Sequence, residues 1–273
     1  MIVAHHTPRA PLSKFVSLLW YWDGYLQPHT RERLLPDGSM TIVFNLAEDR
    51  MRIYEPSDVP RSISIPGQVI VGARTQFMVT DTANMVTTLG IQFKPGGAFP
   101  FLGMPASELS EQCVSLDDVL GIGVRCIRDR LLECVTPEQR FAAVEQWLLS
   151  RSAKPLERHP AVEYATDSFL RNPVAQHVSN ILGKVGYSQR HFNQLFAAEV
   201  GLTPKRFLRV RRFQAVIAAI ASSEAVDWAE LALSCGYYDQ AHFGHEFREF
   251  TGLTPAAYLC HRTPHLNHVP VLD

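Results

Sequence analysis

The spacing of hydrophobic residues changes near residue 97, and this change divides the chain into a β-rich part and a helical part. Between Thr41 and Phe93, short β-branched runs such as 41–44 and 68–71 alternate with turns that contain Pro or Gly. Branched side chains fit a pleated sheet, and Pro and Gly interrupt one. The pattern predicts a compact antiparallel sheet or small barrel, with residues 95–97 as the turn into the first helix.

Apolar residues after Gly97 recur at helical spacing. Ser115 with Asp118, and Thr136 with Gln139, are typical of helix N-termini. A polar stretch from 150 to 160 contains two prolines and is typical of a linker. The sequence therefore predicts an α+β protein in which a sheet or small barrel with flanking helices precedes an all-helical domain. The predicted parts are residues 1–150, a linker at 151–159, the helical domain at 160–262 and a tail at 263–273.

Length and composition fit an ordinary globular protein of two domains. The chain has 273 residues, 46% of them hydrophobic, and a net charge of −1. Five cysteines without a CxxC pair indicate reduced thiols rather than a disulfide framework. The apolar run at 15–22 is too short to cross a bilayer, and the first ten residues lack a signal-peptide core. We therefore expect a cytoplasmic protein without a membrane partner.

Two segments in the last hundred residues resemble each other. Residues 189–196 correspond to 240–247, and a Gly-Leu-Thr-Pro run follows each segment at 201–204 and 252–255, with an offset of 51 in both cases. In each copy a helix ends at a glycine, a short turn follows, and Ser188 or Asp239 caps a second helix. Each copy is thus predicted to be a helix-turn-helix unit, whose second helix can enter a major groove.

A nearly unbroken helical stretch, Pro204 to Ser222, joins the two units. At 1.5 Å per residue it is roughly 28 Å long. Major-groove faces on one side of a duplex lie about 34 Å apart. A rigid helix of this length can therefore present both second helices to successive grooves.

From about Pro160 to Arg262 the sequence resembles the AraC/XylS family of transcription regulators. The resemblance rests on the two units at this spacing, the connecting helix, the run at 236–243 and the repeated Gly-Leu-Thr-Pro. It implies that the second helix of each unit reads double-stranded DNA, although the family commonly carries Arg where Gln194 and His245 stand. The base-contacting residues implied here are Arg190, Asn193 and Gln194 in the first unit and Gln240, Ala241, His242, Gly244 and His245 in the second.

Charge is distributed unevenly between the units. Residues 184–212 contain seven Lys or Arg and one acid, whereas residues 213–251 contain six acids and one Arg. Phosphate contacts supply most non-specific affinity for DNA. This favours the hypothesis that the first unit anchors DNA and that the second contributes little or needs a particular site. The residues expected to contact phosphate are Lys205, Arg206, Arg209, Arg211 and Arg212.

The N-terminal part, over about residues 15–101, is similar to uncharacterised sensor-like domains fused to some AraC-type regulators. The runs at 35–39 and 91–97 carry this resemblance. It implies a regulatory role. Of the aromatic cluster at 20–25, core packing is the favoured interpretation and a ligand-stacking wall the alternative. The histidine-containing tail is interpreted as frayed.

The sequence contains no catalytic, cofactor or metal-binding constellation, so neither an enzyme nor a cofactor or metal site is expected. The predicted function is a DNA-binding transcriptional regulator controlled by an unknown small-molecule effector or a partner at the N-terminal domain. Two alternatives remain open. One is a constitutive DNA-binding homodimer, and the other is a protein in which only the first unit contacts DNA and the second docks on RNA polymerase or another partner.

Overall fold

The computed structural model describes residues 1–55, 58–121, 123–151, 156–221 and 226–271. The strands are β1 (Ile2–His6), β2 (Val16–Asp23), β3 (Arg31–Leu34), β4 (Thr41–Asn45), β5 (Arg50–Glu55), β6 (Asp58–Pro66), β7 (Gln68–Val71), β8 (Met78–Asp81), β9 (Thr87–Phe93), β10 (Cys113–Ser115) and β11 (His268–Pro270). The helices are α1 (Phe99–Leu102), α2 (Leu116–Leu120), α3 (Val124–Glu133), α4 (Pro137–Arg151), α5 (Pro160–Arg171), α6 (Val178–Val185), α7 (Gln189–Val200), α8 (Pro204–Ala221), α9 (Trp228–Ser234), α10 (Gln240–Thr251) and α11 (Pro255–His261).

The strands form two antiparallel sheets, which confirms the predicted sheet architecture. The first sheet has the order β1-β2-β9-β4-β7-β10, and the second has the order β11-β3-β8-β5-β6. Strand β9 pairs with β2 and β4, so the middle of the first sheet joins chain segments far apart in sequence. Strands before Thr41 were not predicted, although β1 and β2 complete one edge of the first sheet.

The two faces of the first sheet have different roles. Side chains such as Leu19, Phe44 and Ile91 are buried and pack with the helices that follow the sheet. Tyr21 points to this face as well, where the Arg140 guanidinium lies 4.6 Å from its ring centroid. The opposite face, with Trp20 and Trp22, is turned to the second sheet and encloses a cavity described below.

The predicted helix N-termini are confirmed. The Ser115 hydroxyl accepts a hydrogen bond from the backbone of Asp117. Thr136 and Gln139 bond each other reciprocally, as a capping box requires. Residues 95–97 form the turn that leads to α1, and residues 160–261 are helices joined by short turns wherever they are described.

Residues 263–271 of the tail are held in the fold, so the interpretation of the tail as a frayed segment is wrong. Residues 272–273 lie outside the described residues. Strand β11 pairs with β3, with Val269 opposite Arg33. Val269 is fully buried, and His268 Nδ1 lies 2.9 Å from a carboxylate oxygen of Glu32. The chain therefore returns from its C-terminal domain to complete the second sheet of its N-terminal domain.

The start of α5 is fixed to the end of α7. Glu199, which is buried, accepts a hydrogen bond of 3.0 Å from the backbone N–H of His159, the residue that caps α5. Residues 152–155 of the predicted linker lie outside the described residues. Through this hydrogen bond, Glu199 joins the start of the helical domain to the first helix-turn-helix unit.

Replacement of Glu199 by Gln should weaken the pH dependence of stability. Burial raises the pKa of Glu199, although the His159 N–H and the Arg158 guanidinium oppose the shift. A folded-state pKa above the unfolded value makes stability fall as pH rises through the interval between them. The Glu199→Gln variant keeps an oxygen that can accept the hydrogen bond from His159, but its amide does not ionise. Denaturant melts at about pH 5 and about pH 7 should therefore differ less for the variant than for the parent chain. An equal difference would contradict this assignment.

No helix in the described ranges has the length and apolar composition required to cross a membrane.

Candidate nucleic-acid interface

The first unit consists of α6 and α7, with the turn between them at Gly186. Gly186 has a φ of 73°, which ends α6 as predicted. The Ser188 hydroxyl accepts from the backbone of His191 and caps α7. Helix α7 buries Phe192 and Phe196, so its opposite side is left for solvent.

The second unit repeats this construction with α9 and α10. Gly236 has a φ of 81°, and the Asp239 carboxylate accepts from the backbone of His242 at 2.7 Å. Helix α10 buries Phe243 and Phe247 at positions that match Phe192 and Phe196 of the first unit. Both predicted helix-turn-helix units are therefore present in the fold.

Helix α8 joins the units and contributes to the core of each. Its 18 residues span about 27 Å. Near its start, the ring of Phe207 lies 5.7 Å from that of Phe196. One turn and a half later, the ring of Phe213 is stacked on Phe250 of α10 at 4.7 Å. A single helix thus holds α7 and α10 in a defined relative position.

The predicted base-contacting residues lie on the surface of α7 and α10. All of them are exposed except Asn193 and Gly244, which are half-buried. The exposed members are Arg190, Gln194, Gln240, Ala241, His242 and His245. His242 Nε2 lies 3.7 Å from the Glu246 carboxylate, which is the one ion-pair contact that the described residues show for this set. Both second helices present donors and acceptors outward, which is what recognition of base edges requires.

The basic residues of α8 point in different directions. Lys205 is exposed. Arg206 bonds Glu111 at 2.7 Å, and Arg211 donates to the backbone carbonyl of Asp37 at 3.0 Å, both in the N-terminal domain. Arg212 donates to the backbone carbonyl of Pro173 at 3.1 Å. These partners could not be predicted from the sequence because a run of charges does not show which helix face is covered.

Arg209 binds the acidic side of α10. Its guanidinium donates to Glu246 at 2.6 Å and to Glu249 at 2.8 Å. Burial disfavours the charged guanidinium, but the two carboxylates outweigh burial and raise the pKa of Arg209. Two of the six acids that make the second unit negative are therefore paired with α8.

Replacement of Arg209 by Ala should destabilise the C-terminal domain. Two carboxylates would lose their shared cation, and Glu246 is only 13% exposed. We expect a loss of about 2 kcal/mol in the free energy of unfolding, measured by urea denaturation. Arg248→Ala on α10, the helix that carries both carboxylates, is the control because Arg248 is exposed, and it should change stability by less than about 0.5 kcal/mol. Equal effects of the two variants would show that the Arg209 pairs contribute nothing.

A cavity of about 310 Å³ lies between the two sheets of the N-terminal domain. Trp20, Trp22 and Tyr25 are half-buried and line it, whereas Tyr21 is buried in the core on the other face of the sheet. A ligand-stacking wall stays a prediction. Trp20 lies across Gly90, where a Cβ atom would be 2.0 Å from the indole. Asn267 and His268 of the tail also line the cavity, and no pattern in the sequence indicated this.

Two family models match the chain. Residues 181–260 match the family described as a helix-turn-helix domain. Residues 4–115 match a family described as a domain of unknown function, DUF6597. The C-terminal domain is thus of the AraC helix-turn-helix type, which confirms the resemblance found in the sequence. No curated protein matches the chain.

Several solved structures are similar to the chain. ToxT from Vibrio cholerae is 8% identical with a TM-score of 0.47, and the match covers 89% of this chain and 95% of that one. Unsaturated fatty acid-bound wild-type ToxT from the same organism is 9% identical with a TM-score of 0.46, over 88% and 93% of the two chains. The xylose-binding transcription activator XylR is 22% identical with a TM-score of 0.34, over 45% of this chain and 38% of that one.

Proposed function

Because residues 181–260 are an AraC-type helix-turn-helix domain, we propose that this protein is a transcriptional regulator that reads DNA with α7 and α10. The observation that carries the proposal is the exposure of equivalent faces on two helices held apart by α8. Arg190 can form paired hydrogen bonds with guanine, and Asn193, Gln194 or Gln240 can do so with adenine. His242 and His245 extend the surface of the second unit.

Both units take part in this proposal. The negative charge of the second unit argues against phosphate contact, but Arg209 pairs with Glu246 and Glu249 and removes part of that charge. Lys205 is exposed beside the first unit, and in this proposal it is the residue of α8 that contacts phosphate. Phosphate contact by Arg206, Arg209, Arg211 or Arg212 requires release of the hydrogen bonds that now hold them.

Control by a small molecule is the second part of the proposal. The cavity has the size of sites that bind small ligands. Its wall includes Asn267 and His268, which follow the DNA-binding domain in the chain. A ligand in the cavity therefore contacts both the N-terminal domain and the tail that follows the DNA-binding domain. The alternative of a constitutive homodimer places no ligand there, and a thermal-shift screen separates the two because a ligand raises the melting temperature.

The salt dependence of binding tests the DNA-binding part. We expect the full-length chain to bind random-sequence duplex DNA with an affinity that falls linearly with the logarithm of salt concentration. Lys205→Ala should reduce the steepness of that line by about one unit. Lys94→Ala is the control because Lys94 is exposed on the N-terminal domain. Absence of binding at low salt would contradict the proposal, and unchanged slopes would remove Lys205 from the interface.

A further inference from the structure

The N-terminal domain contacts the C-terminal domain without covering the exposed faces of α7 and α10. The exposed residues of these helices stay accessible while the two domains are docked. The docked surface consists of α8, the side of α7 that packs against residues 99–102 and 106–109, and the two Gly-Leu-Thr-Pro turns that end α7 and α10. Regulation by this domain therefore has to act on how the two helices are placed rather than on access to them.

The loop at 35–39 holds α8. The Gly38 backbone approaches the Phe207 ring so closely that a Cβ atom would lie 2.8 Å from it. The carbonyl oxygens of Pro36 and Asp37 accept hydrogen bonds from Gln214 and Arg211 at 2.7 and 3.0 Å. Since the motif at 35–39 also lines the cavity, the same loop contacts the cavity and the connecting helix.

The segment at 72–78 contacts both turns. A Cβ atom at Gly201, which ends α7, would lie 3.1 Å from the Ala73 methyl group. One at Gly252, which ends α10, would lie 2.7 Å from the Phe77 ring. Both glycines have positive φ values, 90° and 71°, which a residue with a side chain rarely adopts. In both Gly-Leu-Thr-Pro turns, therefore, a glycine without a side chain contacts the segment at 72–78.

Glu111 fixes the middle of this segment. Its carboxylate accepts from the Thr75 backbone at 2.9 Å and from Arg206, at the start of α8, at 2.7 Å. Thr75 itself accepts from Arg206 at 3.0 Å. Glu111 has a φ of 62°, an uncommon value for a residue other than glycine.

The two sides of the segment face different parts of the molecule. Gly72, Arg74 and Met78 line the cavity, whereas Ala73 and Phe77 meet the two turns. Neighbouring residues of the segment thus meet different surroundings, and a bend at 75–76 separates Arg74 from Phe77. A molecule that fills the cavity therefore contacts the segment at 72–78, which also contacts both turns.

The walls of the cavity favour a flat, largely apolar ligand. Packed sheets are about 10 Å apart, so the space between them is narrow in one direction. The rings of Trp20 and Trp22 are 4.9 Å apart and tilted, and Met78 and Leu34 add apolar surface. Among the described residues, Trp22 Nε1 and the Nε and Nη1 atoms of Arg74 are buried donors without an acceptor, and both side chains line the cavity. A planar ring system with more than one hydrogen-bond acceptor fits these features.

We propose that the segment at 72–78 relays occupancy of the cavity by a planar, largely apolar molecule to both Gly-Leu-Thr-Pro turns, and so sets the placement of α7 relative to α10. The role of this relay in transcription rests on the proposed function, whereas the structural coupling between the cavity and the turns does not depend on DNA binding. Phe77 and Ala73 are positioning residues in this scheme. Each acts on one unit, which allows the two contacts to be separated experimentally.

Coumarin is the probe because it is planar, uncharged and carries a carbonyl acceptor, and camphor is the compact, non-planar comparison. Calorimetry on the full chain should show binding of coumarin, about tenfold weaker binding to Trp22→Leu, and no comparable binding of camphor. Hydrogen exchange is then followed at the amides of 201–203 and 252–254. We expect saturating coumarin to change exchange at both turns by about fivefold.

Phe77→Ala should bind coumarin as the parent chain does and respond only at 201–203, because its contact with the second turn is lost. Gln76→Ala is the matched control, since Gln76 is exposed, and should respond at both turns. A response at 252–254 that survives Phe77→Ala, or none in the parent chain, would overturn the relay. Failure of coumarin to bind, or equal binding of camphor, would overturn the ligand class. Calorimetry and hydrogen exchange are measured without DNA, so a failure of the relay can be distinguished from a failure of DNA binding.

Discussion

Val269→Asp is expected to lower the stability of the protein by about 3–5 kcal/mol. Val269 is fully buried in β11, and a carboxylate there would have to be charged among apolar neighbours or break the strand away from β3. The melting temperature should fall by about 10 °C, measured by calorimetry on the full chain. The effect is large because a fully buried apolar site cannot solvate a carboxylate.

Pro264→Ala is the comparison within the same segment because Pro264 is exposed. It should leave the melting temperature within about 2 °C of the parent chain. If Val269→Asp were equally mild, β11 would not be a structural part of the sheet. The contact between the tail and the cavity would then lose its physical basis.

Arg190→Glu is expected to weaken binding to a selected DNA site by about 10- to 100-fold. Arg190 is exposed near the N-terminus of α7, and a guanidinium paired with guanine contributes about 1–3 kcal/mol. Reversal of the charge adds repulsion from the phosphates. Fluorescence anisotropy with labelled duplex at fixed salt measures the change.

Arg9→Glu is the control variant, because it makes the same change of charge at an exposed position of the N-terminal domain. This control keeps the net charge equal in both variants, and it should alter affinity by less than about threefold. A similar loss in both variants would mean that only total charge matters. The base-reading role of α7 would then be wrong.

Helices α7 and α10 could be located from the sequence because their determinants are local. Ser188 and Asp239 cap the helices, a glycine ends each preceding helix, and the phenylalanines keep one face apolar. The same holds for the capping box of Thr136 and Gln139. Each of these signals lies within a few residues of the structure that it predicts.

The tail and the basic face of α8 could not be assigned because their partners are distant in sequence. Strand β11 has three residues and pairs with β3, more than 200 residues earlier, so no periodicity reveals it. Arg206, Arg209 and Arg211 have the same appearance in the sequence. Their partners belong to three different elements, and only the tertiary structure distinguishes an arginine that joins domains from one free to meet phosphate.

Selection of random duplex DNA on the full-length protein, at two salt concentrations, tests the central claim most directly. We expect a site with two informative blocks about one helical turn apart, because α8 is about 27 Å long and joins the two units. A single block would show that only one unit reads bases. No enrichment at either salt concentration would contradict sequence-specific recognition by this protein.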